Sequence, residues 1–462
     1  MKRAIEGPKF KSRIYQYIAA VGANLGTLSL GFHYGWPSTA FPTLLGENNI
    51  YKLSKDEASW LVSLVPLTSI IGGVLGACLT NKLGRKRIIH FSSIPLTISW
   101  ILIAVADSKT NLFVSRAIAG IIDGLLFTIV PSYLTEIADA DIRGFIVGTF
   151  ASTLAFGVLV ENILLSLFTI STTACASATV TVLSLFILPL VPESPYFFLI
   201  VEKEIEARKS IRKLIGKYDV RDRVENIQKG IDETEGKTKL SDIFFYKSHR
   251  QCLVLSILLT LTQLLSGLLP FEYYTKTVLL ETNSFLVPST ANIIYHVSFF
   301  LITIVCFTLT DRIGRRVLIL LSVGVTAACL FFNGLYLYIK LATNIDTSTL
   351  DFLQLVFVYL YTVGYGVGLH VIPIIFIAEI FPTHLKSVAL CIVNIITNVA
   401  VALAIKLFSW YTSYGLFVPF LVCSGCAVIQ FILIAKFLPE TKLLTMEDIQ
   451  IEQDKRQCKY HC

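Results

Sequence analysis

Seven ionisable side chains stand inside long apolar stretches of this 462-residue chain: His33, Asp123, Glu161, Glu272, His296, His370 and Lys406. Charge in hydrocarbon is costly, so such residues face a protein interior or a watery path and commonly handle a solute or a proton. A histidine there either titrates near neutral pH or holds a neutral hydrogen bond. Lys406 and Glu161 fall toward the ends of their stretches, where a side chain can snorkel to the interface. The tail Cys458-Lys459-Tyr460-His461-Cys462 has a metal- or lipid-site composition, with a solvated polar tail as the plainer reading. No nucleophile sits beside a base, and neither metal-ligand spacing nor a phosphate-cradling loop occurs. The pattern predicts no enzyme chemistry, no ATP-driven step, no metal and no cofactor.

The elements that must carry these residues are membrane spans. The chain is 54% hydrophobic and only 15% charged, with a mean hydropathy of +0.69, against roughly 25% charge in soluble domains. A helix crosses a hydrocarbon core with about 20 apolar residues. Twelve stretches qualify: 14–40, 57–80, 88–106, 112–133, 145–168, 170–191, 251–280, 290–310, 316–340, 352–377, 388–409 and 414–438. Period-two alternation is absent, and a helix satisfies its own backbone in lipid, so an all-α membrane protein is expected. The first stretch is long and glycine-rich, with no small-residue cleavage pattern after it, so it reads as a span and not a signal.

A formal charge of +7 could suggest nucleic acid, but the basic residues gather in alternate loops. Lys2, Arg3, Lys9, Lys11 and Arg13 precede the first span; Lys82, Arg85, Lys86 and Arg87 follow the second; Arg312, Arg315 and Arg316 follow the eighth. That bias predicts both termini and the 192–250 loop in the cytosol, and no nucleic-acid partner. The ten cysteines lie mostly inside spans and form no disulfide framework.

The chain also repeats itself. Leu79-Thr80-Asn81-Lys82-Leu83-Gly84-Arg85-Lys86 returns 230 positions on as Leu309-Thr310-Asp311-Arg312-Ile313-Gly314-Arg315-Arg316. Glu136-Ile137 with Arg143 returns 243 positions on as Glu379-Ile380 with Lys386, and Pro192-Glu193-Ser194 returns as Pro439-Glu440-Thr441 at 247. Three pairs in one order at similar offsets predict two six-helix halves related as parallel repeats. The organisation is 1–191, a cytosolic linker 192–250 with short amphipathic helices, 251–438, and a tail 439–462. Ile205, Ile211, Leu214, Ile215, Val224 and Ile227 supply the linker's apolar spacing. Glycine pairs four apart (72/76, 120/124, 144/148, 364/368) predict close helix approach.

Arg85, Glu136, Arg143 and Glu193, with Arg315, Glu379, Lys386 and Glu440 in the second half, place acids and bases together at the cytosolic helix ends. In a partly desolvated seam such a network can outweigh an isolated surface pair. It would act as a latch when that side is closed; the alternative is that the basic residues only orient the chain.

These motifs, with Arg116-x3-Gly120-x3-Gly124, Pro131-x-Tyr133-x2-Glu136, Asp141-x-Arg143-Gly144 and Ser266-Gly267, resemble the sugar porter branch of the major facilitator superfamily over essentially the whole chain. Gly31-Phe32-x2-Gly35-Trp36 is most similar to the insect facilitated trehalose and glucose transporters. The resemblance implies the major facilitator fold and a sugar substrate. It also implies a polyol grip by amides and an aromatic cover, mostly from the second half. Gln263 stands at the first of two expected adjacent glutamines, but Leu264 replaces the second and Leu269 an expected asparagine. The tenth span keeps Gly368 and Pro373 but lacks the tryptophan, Thr397-Asn398 replaces Asn-Trp, and Ala151 stands where a glutamine is common. Gln263, Thr397, Asn398 and His370 are therefore the candidate ligands, interhelical hydrogen bonding being the other reading. Glu272, Tyr273 and Tyr274 resemble an outer gate, and His33 takes the position of the aspartate of proton-coupled relatives. The expectation is a monomeric, facilitative plasma-membrane sugar carrier working by alternating access. Its rivals are a proton-coupled carrier using His33 or Glu272, and a non-transporting sugar sensor.

Overall fold

The computed structural model describes residues 9–44, 53–139, 142–215, 220–232, 247–268, 288–343, 350, 352–381, 383–411 and 414–438. The first half contains α1 Lys9–Leu44, α2 Lys55–Leu83, α3 Arg85–Ala104, α4 Lys109–Ile137, α5 Arg143–Leu167 and α6 Ile170–Ile187. Three short helices follow: α7 Pro195–Ile200, α8 Glu204–Ile215 and α9 Arg221–Asp232. The second half contains α10 Lys247–Gln263, α11 Pro288–Ile313, α12 Arg315–Ala342, α13 Phe352–Val367, α14 Ile372–Ile380, α15 Thr383–Tyr411 and α16 Phe417–Phe437. No strand occurs among the described residues. Eleven helical segments are long and apolar enough to cross a membrane, the α13–α14 pair counting as one. The first helix, α1, completes the twelve; its polar residues Gln16, Asn24, Thr27, Ser29 and His33 are all buried against neighbouring helices.

Packing repeats as the sequence does. In the first half α1 lies on α5, α2 on α4 and α3 on α6; in the second, α10 lies on α15, α11 on α13 and α12 on α16. The halves meet where α2 packs on α15 and α5 on α11. Between α2 and α4 the backbones touch: a Cβ on Gly124 would lie 1.8 Å from the Ser69 carbonyl oxygen, and one on Gly72 would lie 1.7 Å from that of Ile121. Gly144, by contrast, has open space at its Cβ position, so it is not a packing glycine.

Two spans are broken, contrary to the continuous stretches expected. The seventh ends as a helix at Gln263 and passes through a π turn, Leu264–Leu268, in which Gly267 takes φ +90°. The tenth breaks at Gly368–Val371, because Pro373 lacks the amide needed to continue and suits the first turn of α14. Broken helices at membrane depth are tolerated where they line a cavity. The short helices α7–α9 pack around Leu199, Ala207, Ile211, Val220, Val224 and Ile227, but Ile205 is 67% exposed and outside that core. Leu214 joins the first half's core, so α8 docks against the bundle.

Candidate functional site

A cavity lies between the halves, lined from α1, α4, α5, α10, α14 and α15 and by the tenth-span break. Its walls are largely apolar, with Phe127, Pro131, Phe150, Leu154, Ile374 and Val393 among them. Its polar groups are few and neutral except for one carboxyl: Tyr34, Asp123, Thr260, Gln263, His370, Asn394, Thr397 and Asn398. All four expected ligands thus line a single cavity.

Local hydrogen bonds determine what each offers. Gln263 Nε2 donates to the His370 carbonyl at 3.3 Å, leaving Oε1 to accept from a solute. The Thr397 hydroxyl donates back to Val393 O at 2.7 Å, so its oxygen is left as an acceptor. Asn398 Nδ2 donates to Asn394 Oδ1 at 2.7 Å and to Asn394 O at 2.8 Å. Asn394 Nδ2 has no hydrogen-bond partner among the described residues. His370 Nε2 lies 3.4 Å from the Ala151 carbonyl oxygen, so a ring proton there spans the two halves. Asn394 and Asp123 were not among the expected ligands, although Asn394, Thr397 and Asn398 share the i, i+3, i+4 spacing of one helix face.

His33 does not reach the cavity. Arg116, 1% exposed, places its guanidinium 4.1 Å from the Trp36 ring centroid and donates through Nη1 to the His33 carbonyl at 2.8 Å. The same nitrogen lies 3.4 Å from His33 Nδ1. Arginine can only donate, so Nδ1 is the acceptor and the ring hydrogen belongs on Nε2, 3.4 Å from the Ser99 hydroxyl. The ring also stacks on Trp100 at 4.0 Å. This is a packed, neutral hydrogen-bonding histidine. Glu161 does not snorkel: it is fully buried and accepts from Ser177 at 2.9 Å, because α6 covers that end of α5.

At the end of the bundle carrying the basic loops, Arg85 and Glu136 form an ion pair at 3.2 Å, their side chains 2% and 4% exposed. Ser194 also donates to Glu136. Glu193 serves differently: its carboxylate accepts from the backbone amides of Lys86 at 2.9 Å and Arg87 at 3.4 Å, satisfying donors that the first turn of α3 leaves open. Gly84 permits this, since it sits at φ +90° and a Cβ there would lie 2.5 Å from Glu193 Oε2. Gly314, its repeat partner, has φ +102°. Burial raises the Glu193 carboxyl above its ordinary value, against the pull of those amides and of Arg85. Arg143 is not in the ion pair; its Nε is buried without a hydrogen-bond partner among the described residues. Glu272, Tyr273, Tyr274 and Glu440 lie outside the described residues, as do the side chains of Glu379 and Lys386. Arg315 opens α12 as Arg85 opens α3.

Asp139, not among the expected residues, ties three elements at the same end. It accepts from Gln16 Nε2 at 3.0 Å and pairs with Arg13 at 3.4 Å and with Arg223 of α9. Burial alone would raise its carboxyl, but the Gln16 and Arg223 hydrogen bonds and the two arginine charges hold it below the ordinary value. At the opposite end the halves are joined by Lys406 to Asp56 at 3.1 Å, with Lys406 4.0 Å above the Trp60 ring, and by Asn292 to Asn162 at 2.9 Å.

The sugar (and other) transporter family matches this chain over residues 19–452. The chain belongs to that family. It is a multi-pass membrane transporter, not an enzyme. It is 28% identical to the facilitated trehalose transporter Tret1 of Bombyx mori, over 95% of this chain and 86% of that one. To Tret1 of Polypedilum vanderplanki it is 27% identical, over 94% and 87%. Among solved structures, the proton:xylose symporter XylE bound to 6-bromo-6-deoxy-D-glucose superposes with a TM-score of 0.82 at 21% identity, covering 95% of this chain and 99% of that one. An inward-open XylE from E. coli scores 0.74 at 21% identity, covering 94% and 99%. At that identity the likeness shows the twelve-helix major facilitator fold.

Proposed function

We propose that this transporter is a facilitative carrier of a small polyhydroxylated solute, a sugar of the glucose or trehalose kind, working by alternating access. The observation that carries the reading is the cavity itself. It lies on the seam between two repeated halves, apolar over most of its wall, with amide, hydroxyl and imidazole groups contributed chiefly by the second half. Hydroxyls need such donors and acceptors, and the apolar wall suits sugar ring faces. The curated relatives named for facilitated trehalose transport span nearly the whole chain, which supports the same reading. In the first span a hydrogen-bonded histidine replaces the carboxylate of a proton-coupled carrier, which favours facilitation over symport.

Gln263, Asn394, Thr397, Asn398 and His370 are the proposed ligands, and Arg85, Glu136, Glu193 and Ser194 the proposed latch. The reading divides the chain into halves 1–191 and 251–438 with a linker 192–250 and a tail 439–462. Termini and linker face the cytosol of a plasma-membrane protein that acts as a single copy. Uptake of labelled glucose and trehalose into vesicles, with and without a proton gradient, tests the proposal. Entry indifferent to the gradient supports it; entry only with a gradient, or none of either sugar, contradicts it.

A further inference from the structure

Asp123 has a place in this cavity that a neutral sugar does not use. It lies in the middle of α4 and is 2% exposed, yet it lines the cavity wall. One carboxylate oxygen, Oδ2, accepts from the Tyr34 hydroxyl at 3.2 Å. The other, Oδ1, has the Ser69 hydroxyl as its hydrogen-bonding neighbour and no charged partner among the described residues. No lysine or arginine among the described residues lines the cavity. The nearest basic residue on the same helix is Arg116, seven residues and so about 10 Å away along the axis, and it is engaged by His33 and Trp36. The other titratable groups on the wall are His370, on the far half with Nε2 turned to Ala151, and Tyr34 itself.

An ionised carboxylate here is tolerable while water fills the cavity. Alternating access, however, requires the halves to close over the solute and expel that water. Closing over a neutral polyol obliges Asp123 either to stay charged without a countercharge, at several kcal/mol in general, or to take up a proton first. Closing over a solute that brings its own ammonium removes that cost and supplies a charge-assisted hydrogen bond to Oδ1. The polyol part of the same solute would meet Gln263, Asn394 and Asn398 on the opposite half. We propose that Asp123 makes this cavity selective for sugars bearing a protonated primary amine over neutral sugars of the same ring. The proposal rests on the carrier function above and names its substrate class.

The test uses the purified full chain in proteoliposomes, with labelled glucosamine, glucose and N-acetylglucosamine as probes. N-acetylation keeps the ring and the nitrogen but removes the charge. Glucosamine is expected to show an apparent affinity at least about tenfold tighter than both glucose and N-acetylglucosamine, equivalent to roughly 1.4 kcal/mol. Asp123→Asn should collapse that ratio toward one, whereas Asp123→Glu, which keeps the charge, should preserve the preference. Equal affinities in the unaltered protein, or an unchanged ratio in Asp123→Asn, overturn the proposal while leaving sugar transport standing. The comparison in the unaltered protein decides the matter even where a variant fails to reach the membrane. Uptake of none of the three sugars overturns the proposal, and trehalose uptake in the same vesicles then decides whether the carrier function stands.

Discussion

Replacing Arg85 by alanine is expected to cost far more than its count of hydrogen bonds suggests, and removing Glu136 as well should return part of the loss. The pair sits at 3.2 Å with both side chains almost fully buried. At an effective dielectric of about 20, two unit charges at that distance attract by about 5 kcal/mol before desolvation. Breaking a buried pair by deleting one partner strands the other, at roughly 3–5 kcal/mol. In Arg85→Ala the stranded group is the Glu136 carboxylate, left with the Ser194 hydroxyl as its remaining partner. Glu136→Gln strands the guanidinium, which keeps a bond to the Thr80 carbonyl at 3.3 Å. The double variant carries neither charge of the pair, with the amide-bonded Glu193 carboxylate left nearby, so the two losses should fail to add by about 2 kcal/mol or more. Thermal unfolding of the four proteins in one detergent closes the cycle, and vesicle uptake normalised to surface protein reports on switching. Additive losses within about 0.5 kcal/mol would refute the reasoning, because the charges would then be separately solvated and no latch would exist.

Gln263→Ala should weaken apparent sugar affinity about tenfold, since a buried hydrogen bond and its unpaired partner are together worth roughly 1–3 kcal/mol; a substrate titration reads this directly, and unchanged affinity would remove Gln263 from the ligand set. Gly124→Leu should abolish surface expression, as even a Cβ would meet the Ser69 carbonyl at 1.8 Å; a stably expressed variant would contradict the close α2–α4 crossing. The Asp139 carboxyl lies below its ordinary value of 3.8, so its contribution to linker docking is present above about pH 4 and is lost as the pH falls through the lower folded value. Hydrogen exchange of α9 should rise only in that acid range, and Asp139→Asn should show the same rise at neutral pH. A tag at Gly236 should be shielded in intact cells and one at Asn48 accessible; labelling of Gly236 from outside would reverse the proposed orientation.

What could be read from the sequence divides along a physical line. The spans and the paired Gly84-Arg85 and Gly314-Arg315 turns were legible, because hydropathy, repeat spacing and positive φ are local properties. The Arg85–Glu136 pair was legible as well, since the repeat placed both residues at one end of the bundle. Gln263, Thr397, Asn398 and His370 came from resemblance and spacing, and they meet at one cavity. The facing of each helix was not legible, because it depends on which neighbour packs against it. Asp123 and His33 both look like charged residues at membrane depth, yet one lines the cavity and the other stacks on Trp100 behind Arg116. Asn394 lies one turn before Asn398 and was passed over, although its spacing held the signal. The sequence pattern places Glu193 with the ion pairs, whereas its carboxylate caps α3 through main-chain amides that no sequence motif displays.

The central claim is that this chain carries sugar across a bilayer by alternating access, without coupling. Counterflow in proteoliposomes tests it most directly: vesicles preloaded with unlabelled sugar are diluted into a trace of labelled sugar, with no ion gradient. A transient overshoot of label inside is expected, followed by decay to equal concentrations on both sides. Label that never enters, or that accumulates above equilibrium only when a proton gradient is imposed, would contradict it.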